Sequence, residues 1–438
     1  MDRGRDGRRT ESRYGEGIRN PRARQRALCI AATPGEPDLT ELNELLRTAG
    51  VAVAGELVQR RERPDPDRYF GKGKLAELKR AVKDADANLV ACDDELKPRQ
   101  ERNLEEALGV PVIDRTAIIL DIFAEHASSA EGKLQVELAQ LDYNLARMRG
   151  LWTHLERLGA GRMDGGIGTR GPGESQIETD RRLARDRIAA LRRRLVHTKR
   201  TRSTMRRERE RAGLPTVALA GYTNAGKSTL LNALTGADVG VRERLFHTLD
   251  PTTRSLEIGG RDYLLTDTVG FIRKLPHQLV DAFSATLEEA MGADLLVHVA
   301  DASVPEDELH AMIAAVDDVL VEVGAGERPR LLALNKVDLL QTDRRRELSF
   351  RFPRSVQVSG ETGEGLEVLR SEIEARFLSS LERMDLLVPY EEGGSLSELH
   401  ELAGELERED TAEGVRVRAR VPAAAAPRFE RFSSNGGG

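Results

Sequence analysis

Nine consecutive residues carry the densest chemistry in the 438-residue chain: Gly221-Tyr222-Thr223-Asn224-Ala225-Gly226-Lys227-Ser228-Thr229. The first eight fit the spacing Gly-x-x-x-x-Gly-Lys-Ser of a phosphate-binding loop. Glycines let the backbone curl until its N–H groups converge on phosphate oxygens, and a helix beginning there adds its dipole. Lys227 supplies a point charge to β and γ phosphates, and the Ser228 hydroxyl is a ligand for Mg²⁺. Such a loop needs a strand before it and a helix after it. Thr216–Ala220 is a short apolar run that reads as the strand, and Thr229–Leu234 continues as the helix.

That loop alone does not separate ATP from GTP. Arg261–Thr266 reads as a strand ending in Asp267-Thr268-Val269-Gly270. An aspartate there holds Mg²⁺ through water, and the Gly270 N–H meets the γ-phosphate. Arg330–Leu334 reads as another strand and ends in Asn335-Lys336-Val337-Asp338. A carboxylate at Asp338 accepts the two adjacent N–H donors of guanine; adenine offers no matching donors and is rejected. Val356–Val358 then leads into Ser359-Gly360-Glu361, whose backbone reaches the guanine oxygen. Each element is weak alone. In this order, each behind a strand, they specify a site for GTP with Mg²⁺.

Phe246-His-Thr-Leu-Asp-Pro-Thr-Thr-Arg254 lies between these elements as the natural first switch loop. Phe246 and Thr248 are its expected nucleotide contacts. Thr248 is the expected second Mg²⁺ ligand, with Thr252 and Thr253 as rivals and a plain turn role as the alternative. Lys227, Thr248 and Gly270 are the expected catalytic set. Many GTPases place Gln after Asp-x-x-Gly to orient the attacking water. Phe271 stands there and cannot do so. Slow turnover alone and activation by a partner follow. Asn224 is a candidate K⁺ contact, against an ordinary loop asparagine.

The elements around this site divide the chain. Residues 1–25 contain Arg, Gly and Asp with almost no apolar residues and read as a disordered basic extension. Strands at Ala27–Ala32, Val51–Leu57, Asn88–Ala91 and Val110–Ile113 alternate with helices at Leu39–Ala49, Lys74–Lys83 and Pro98–Leu108. That alternation predicts a small parallel α/β domain over 26–115. From 116 to 212 the pattern predicts a helical hairpin, with arms at about 132–157 and 175–211. Its tip, 159–173, is too rich in glycine to be helical. Residues 213–381 return to strand–loop–helix alternation, the GTPase domain. Residues 382–438 predict a small α+β unit, with strands at Leu386–Pro389 and Val415–Val421, a helix near Ser395–Leu406, and a flexible tail. The expected class is therefore α/β: a phosphate-loop GTPase domain with three smaller parts.

Composition narrows the setting. The chain is 39 % hydrophobic and 32 % charged, with a net charge of −6 and 4 % aromatic residues. Few aromatics leave little surface for stacking single-stranded bases. Cys29 and Cys92 lack metal-ligand spacing and sit in apolar runs, as buried small hydrophobes do. Two cysteines in such a length suit a reducing compartment. No apolar run approaches the roughly 18 residues that span a bilayer, and no apolar stretch follows the Arg-rich start as in a secretory signal. A cytoplasmic monomer is expected. Between Arg181 and Arg211 stand 14 Lys or Arg against 3 acids, a local charge of +11. A solvated helix face normally mixes signs. This excess points to a polyanionic partner, recognised by backbone or shape. Leu183, Ile188, Leu191 and Leu195 give the arm a narrow apolar stripe.

With these residues in view, the chain resembles the HflX family of ribosome-associated GTPases over roughly residues 27–385. The nucleotide motifs are generic and do not carry the match. Arg60-Arg-Glu-Arg-Pro-Asp-Pro-Asp-Arg-Tyr-Phe-Gly-Lys-Gly-Lys74, Asp94-Glu-Leu-Lys-Pro98, Val112-Ile-Asp-Arg-Thr-Ala117 and Glu131–Leu141 do. The most specific segment is Gly166-Ile-Gly-Thr-Arg-Gly-Pro-Gly-Glu174, followed by Gln176 and Glu178-Thr-Asp180. The resemblance implies a protein that binds the large ribosomal subunit and splits or rescues stalled ribosomes, touching ribosomal RNA through its first domain and hairpin. It also implies hydrolysis stimulated by the ribosome, in agreement with Phe271. The resemblance further implies that ATP also binds at the first domain in some members. Gly71-Lys-Gly-Lys74 is a candidate phosphate contact there, against an ordinary polar turn. Alternatives stay open: a ribosomal-subunit assembly GTPase, or a scaffold that binds GTP without turnover. A partner in tRNA modification would need a cysteine or cofactor fold outside 216–381, and the sequence offers none.

Overall fold

The computed structural model describes residues 25–35, 38–159, 172–211, 214–237, 245–246, 251–274, 291–379, 381–403, 406–422 and 425–433. The expected basic extension up to residue 24, the tip from 160 to 171, and Thr248 lie outside the described residues. The chain divides into two compact units. One holds the described residues up to Leu195 together with Leu245, Phe246 and Lys274; the other holds the rest.

In the first unit, β1 (Arg26–Thr33), β2 (Ala52–Arg60), β3 (Leu89–Cys92) and β4 (Val112–Asp114) form a parallel sheet of order β2-β1-β3-β4. Parallel strands need crossovers, supplied by α1 (Thr40–Thr48), α2 (Lys72–Asp84) and α3 (Pro98–Leu108). Strand β1 is central and buried along its length, which is why its sequence is an unbroken apolar run. Leu28, Ile30, Phe70, Leu78, Val90 and Leu104 belong to its core. Cys29 and Cys92 are free and buried, as expected.

Residues Arg115–His126 form a helix, α4, that the sequence pattern did not separate from the hairpin. Ile118, Ile119, Leu120, Ile122 and Phe123 are all buried, so the helix is apolar nearly all round and lacks the amphipathic period. Asp114 caps it, its side chain accepting from the Ala117 N–H at 2.9 Å. The two long helices follow as α5 (Ala130–Gly159) and α6 (Pro172–Arg211).

One expectation about α6 is corrected. Leu183 is 59 % exposed; the buried stripe is Ala184, Ile188 and Leu191. Spacings of four and three keep one helical face, whereas five, from Leu183 to Ile188, does not. The arm also finds acids on α5: Arg187 bonds Glu137 at 2.7 Å and Arg192 bonds Asp142 at 3.2 Å. Arg182, Arg185, Arg193 and Arg194 remain on the exposed surface.

Helix α5 is anchored by Arg147. Its guanidinium bonds Asp114 (2.6 Å), Glu101 (2.7 Å) and the Leu96 carbonyl (3.0 Å), and lies 3.3 Å over the Tyr143 ring. Tyr143 in turn donates to Asp114 at 2.8 Å. Also within this unit, Lys274 bonds Asp93 (2.9 Å) and Asp94 (2.6 Å), and the Phe246 ring meets Phe123 edge-on.

The second unit contains a six-stranded sheet of order β10-β9-β8-β5-β7-β6. Its strands are β5 (Thr216–Gly221), β6 (Thr252–Ile258), β7 (Arg261–Asp267), β8 (Leu295–Asp301), β9 (Arg330–Asn335) and β10 (Val356–Gln357). All neighbours are parallel except β6 with β7. Helices α7 (Lys227–Thr235), α8 (Glu306–Glu322), α9 (Thr342–Arg351) and α10 (Leu366–Ser379) alternate with the strands. Val217, Leu219, Leu230, Leu265, Val297 and Ile373 lie in its core. Chain order reverses beside β5, where a doubly wound sheet opens its ligand crevice.

A three-stranded antiparallel sheet of order β11-β13-β12 follows, from β11 (Glu382–Val388), β12 (Leu406–Thr411) and β13 (Gly414–Val421), with helices α11 (Gly393–Leu402) and α12 (Ala426–Phe429). The expected helix near Ser395–Leu406 stops at Leu402. Strand β12 has no signature in the sequence: Leu-Glu-Arg-Glu-Asp-Thr is an exposed, charged edge strand without apolar alternation.

Candidate nucleotide site

Four of the sequence motifs fall at the carboxyl end of a parallel strand: Gly221 closes β5, Asp267 closes β7, Asn335 closes β9 and Ser359 lies just beyond β10. The loop leaving β5 is shaped by its glycines. A Cβ on Gly221 would lie 2.1 Å from the Val299 carbonyl oxygen. Gly226 has φ +88°, and a Cβ there would lie 2.3 Å from Asn335 Nδ2. No other residue fits either place. Asn224 is exposed with φ +60°, a conformation asparagine tolerates better than most.

Lys227 opens α7 and is buried. Its ammonium donates to the Tyr222 (2.8 Å) and Gly221 (3.0 Å) carbonyls. Burial pushes its pKa down to about 8, and the nearby Asp267 carboxylate partly opposes that. Phosphate oxygens are stronger acceptors for such a cation than peptide carbonyls. Ser228 Oγ donates to Asp267 Oδ2 at 2.6 Å, and Asp267 is fully buried. Hydroxyl and carboxylate oxygens in contact form the hard donor set that Mg²⁺ prefers.

Asp267 leads into Thr268, whose hydroxyl donates to the Leu219 carbonyl at 2.7 Å. Gly270 packs so closely that a Cβ would lie 2.8 Å from Thr223 and 3.2 Å from Lys227 Nζ. Phe271 is 1 % exposed. Its N–H donates to the Gly221 carbonyl (3.1 Å), and its carbonyl accepts from the Thr223 N–H (2.8 Å). Tyr222 OH accepts from the Arg273 N–H at 2.8 Å.

Asn335 joins two loops. Its Nδ2 donates to the Ala225 carbonyl (2.8 Å), and its Oδ1 accepts from the Gly360 N–H (3.0 Å). Lys336 has φ +65°, with its ammonium on Asp301 at 2.6 Å. Asp338 stands half-buried on the turn that follows. Ser359 is fully buried, and its hydroxyl accepts from the Thr362 N–H at 3.1 Å; Glu361 is exposed.

The phosphate loop, Asp267–Gly270, Asn335–Asp338 and Ser359–Glu361 are thus assembled on one sheet. Phe246 is placed in the first unit, and Thr252 and Thr253 are in β6, with Thr253 Oγ1 on Thr266 Oγ1 at 2.9 Å. Three contacts escaped sequence reasoning: the Thr223–Phe271 bridge, the two-sided role of Asn335, and the Lys227 carbonyl bonds. None has a motif, because each depends on loop geometry that only the folded sheet sets.

Fold and site together define a phosphate-loop GTPase. Family models agree: residues 216–336 match the model described as 50S ribosome-binding GTPase, 36–124 the GTP-binding GTPase N-terminal model, and 126–209 the GTP-binding GTPase middle region. The chain is 46 % identical to GTPase HflX of Caldanaerobacter subterraneus over 415 residues, 94 % of each chain. It is 44 % identical to GTPase HflX of Escherichia coli over 393 residues, covering 88 % of this chain and 90 % of that one. A solved GTP-binding protein of Sulfolobus solfataricus in complex with GDP is 28 % identical, with 80 % and 98 % coverage and a TM-score of 0.40. The chain belongs to the HflX family of GTPases and hydrolyses GTP to GDP and phosphate. Among the described residues no helix is long and apolar enough to cross a membrane.

Proposed function

We propose that this GTPase is a cytoplasmic, monomeric switch that binds the large ribosomal subunit, splits or rescues stalled ribosomes, and hydrolyses GTP rapidly only when the ribosome stimulates it. One observation carries the reading. The Gly221–Ser228 loop and the Asn335–Asp338 turn lie on one sheet, yet Phe271 stands where a polar side chain would orient water, with both backbone polar groups already engaged by that loop. Such a site binds well and turns over slowly until a partner helps. Family membership and the exposed arginines of α6 favour the ribosome as that partner.

Lys227 and the loop amides hold the β and γ phosphates; Asp338 selects guanine, and the Ser359–Glu361 backbone receives its oxygen. Ser228 and Asp267, with Thr248 as the switch ligand, would hold Mg²⁺, which neutralises phosphate charge when bound. Asn224 would contact K⁺, so equal hydrolysis rates in K⁺ and Na⁺ buffers would count against that part. Gly270 donates its amide to the γ-phosphate, and its loss on hydrolysis releases the segment behind it.

Sucrose-gradient sedimentation with purified ribosomes and a non-hydrolysable GTP analogue tests the proposal. The expected result is protein on the large subunit and conversion of intact ribosomes to subunits. Protein remaining at the top of the gradient would refute it. Binding to immature particles alone, with intact ribosomes untouched, would favour the subunit-assembly reading instead.

A further inference from the structure

Tyr222 follows the first glycine of the phosphate loop and is buried. Its carbonyl accepts from the Lys227 ammonium at 2.8 Å, so its backbone is fixed to the phosphate lysine. A parallel bridge then pairs Tyr222 with Phe271. The Phe271 N–H donates to the Gly221 carbonyl (3.1 Å), and the Thr223 N–H donates to the Phe271 carbonyl (2.8 Å). In a continuing parallel ladder the next N–H on that side, of Arg273, would bond the Thr223 carbonyl. The phosphate loop turns at Asn224, where φ is +60°, and the backbone ladder ends. The Arg273 N–H donates instead to the Tyr222 hydroxyl at 2.8 Å. The phenol thus supplies one more rung where the backbone has run out. Phe271 and Ile272, just before that rung, are both buried.

We infer that Tyr222 is a positioning residue for GTP hydrolysis, its hydroxyl fixing the segment from Gly270 to Arg273 against the phosphate loop. The inference rests on the proposed reading in which the Gly270 amide donates to the γ-phosphate. A donor stabilises developing charge only when its direction is set beforehand. Glycine has the freest backbone, so the direction of the Gly270 N–H is set by what holds its neighbours. On the near side, β7 pairs with β5, and the Thr268 hydroxyl donates to the Leu219 carbonyl at 2.7 Å. On the far side stand the bridge at Phe271 and, beyond it, the Tyr222–Arg273 bond. Without the phenolic oxygen the far side loses its outer rung. In this role the phenol touches neither nucleotide nor water. It acts on the rate through Gly270 and leaves the binding of GDP, which has no γ-phosphate, unchanged.

Tyr222→Phe in the full chain tests this, since it removes the hydroxyl and keeps the ring. Its single-turnover hydrolysis at saturating GTP should fall about 10-fold. KM and GDP affinity should stay within about twofold of the parent. Hydrogen exchange at the Arg273 amide, read by NMR, should quicken at least ~10-fold. A parental rate would overturn the inference. So would a slow variant whose Arg273 amide stays protected, because the hydroxyl would then act elsewhere. Loss of GDP affinity in step with the rate would assign the effect to folding of the loop, and would likewise overturn it. The parental chain separates this inference from the reading beneath it. Exchange at the Gly270 amide should slow when GDP is replaced by a non-hydrolysable GTP analogue. No slowing would refute the Gly270 contact and this inference with it. Slowing in the parent, beside an unchanged rate in Tyr222→Phe, would overturn this inference alone.

Discussion

Asn335 Nδ2 donates to the Ala225 carbonyl at 2.8 Å, so the residue that opens the Asn335–Asp338 turn also holds the loop between β5 and α7. Its Oδ1 takes the Gly360 N–H at 3.0 Å, which adds the third loop of the site. On the proposed reading, one buried amide thereby couples base recognition to phosphate recognition. Two buried hydrogen bonds at about 0.5–1.5 kcal/mol each predict that Asn335→Ala weakens GTP and GDP binding alike, by roughly 5- to 150-fold. Gly226→Ala should do at least as much, since its methyl would displace that same amide. Equilibrium titration with fluorescent nucleotides checks both; parental affinities would show that the bridge is incidental.

Lys227 predicts a pH dependence. Burial holds its pKa near 8, below the ordinary 10.5. Between about 8 and 10.5 the unfolded chain therefore binds a proton that the folded protein has released. Over that range this group makes folding stability rise with pH. On the proposed reading triphosphate binding needs the ammonium, so its sign is opposite. GTP affinity should be flat below pH 8 and fall above it, approaching ~10-fold per unit, with proton uptake on binding visible by calorimetry in buffers of different ionisation enthalpy. A flat profile to pH 10 would place the ammonium outside the phosphate contacts.

Asp338 is half-buried on the turn after β9. Asp338→Asn replaces an acceptor with a group that matches xanthine better than guanine. Its preference should move toward xanthosine triphosphate by at least ~10-fold, read by competition binding. Unchanged GTP affinity would reject Asp338 as the guanine contact.

The first unit offers a stability test. Arg147→Met would strand Asp114, fully buried, beside an apolar chain. Removing one partner of a buried ion pair costs about 3–5 kcal/mol. The Leu96 N–H also donates to Asp114 Oδ2 at 3.0 Å. The urea midpoint of the first unit's transition should drop accordingly; a loss under about 1 kcal/mol would show that Tyr143 and the Ala117 and Leu96 amides satisfy Asp114 alone.

How much of this could be read in the chain depended on whether the information was local. The nucleotide motifs are contiguous and each follows an apolar strand, so Gly221–Ser228, Asp267–Gly270 and Asn335–Asp338 were legible and fell on one sheet. Helix α4 was not separable, because a helix buried all round has no polar face to give it a period. Strand β12 was hidden by the opposite fault, charges without apolar alternation. The stripe on α6 was misplaced by one residue, since Leu183 is more hydrophobic than Ala184 but lies on the wrong face. Arg147 gave no signal: an arginine in a charged helix looks solvated until Asp114 and Glu101 are seen around it.

On the proposed reading, Phe271 at the water-orienting position leaves a site complete for binding and deficient in hydrolysis. The most direct test is single-turnover GTP hydrolysis by the purified chain, alone and with purified large ribosomal subunits at saturating concentration. Turnover should be slow alone and rise by at least ~100-fold with the subunits, with GTP affinity little changed. A fast rate without subunits, or the same slow rate with them, would contradict the account.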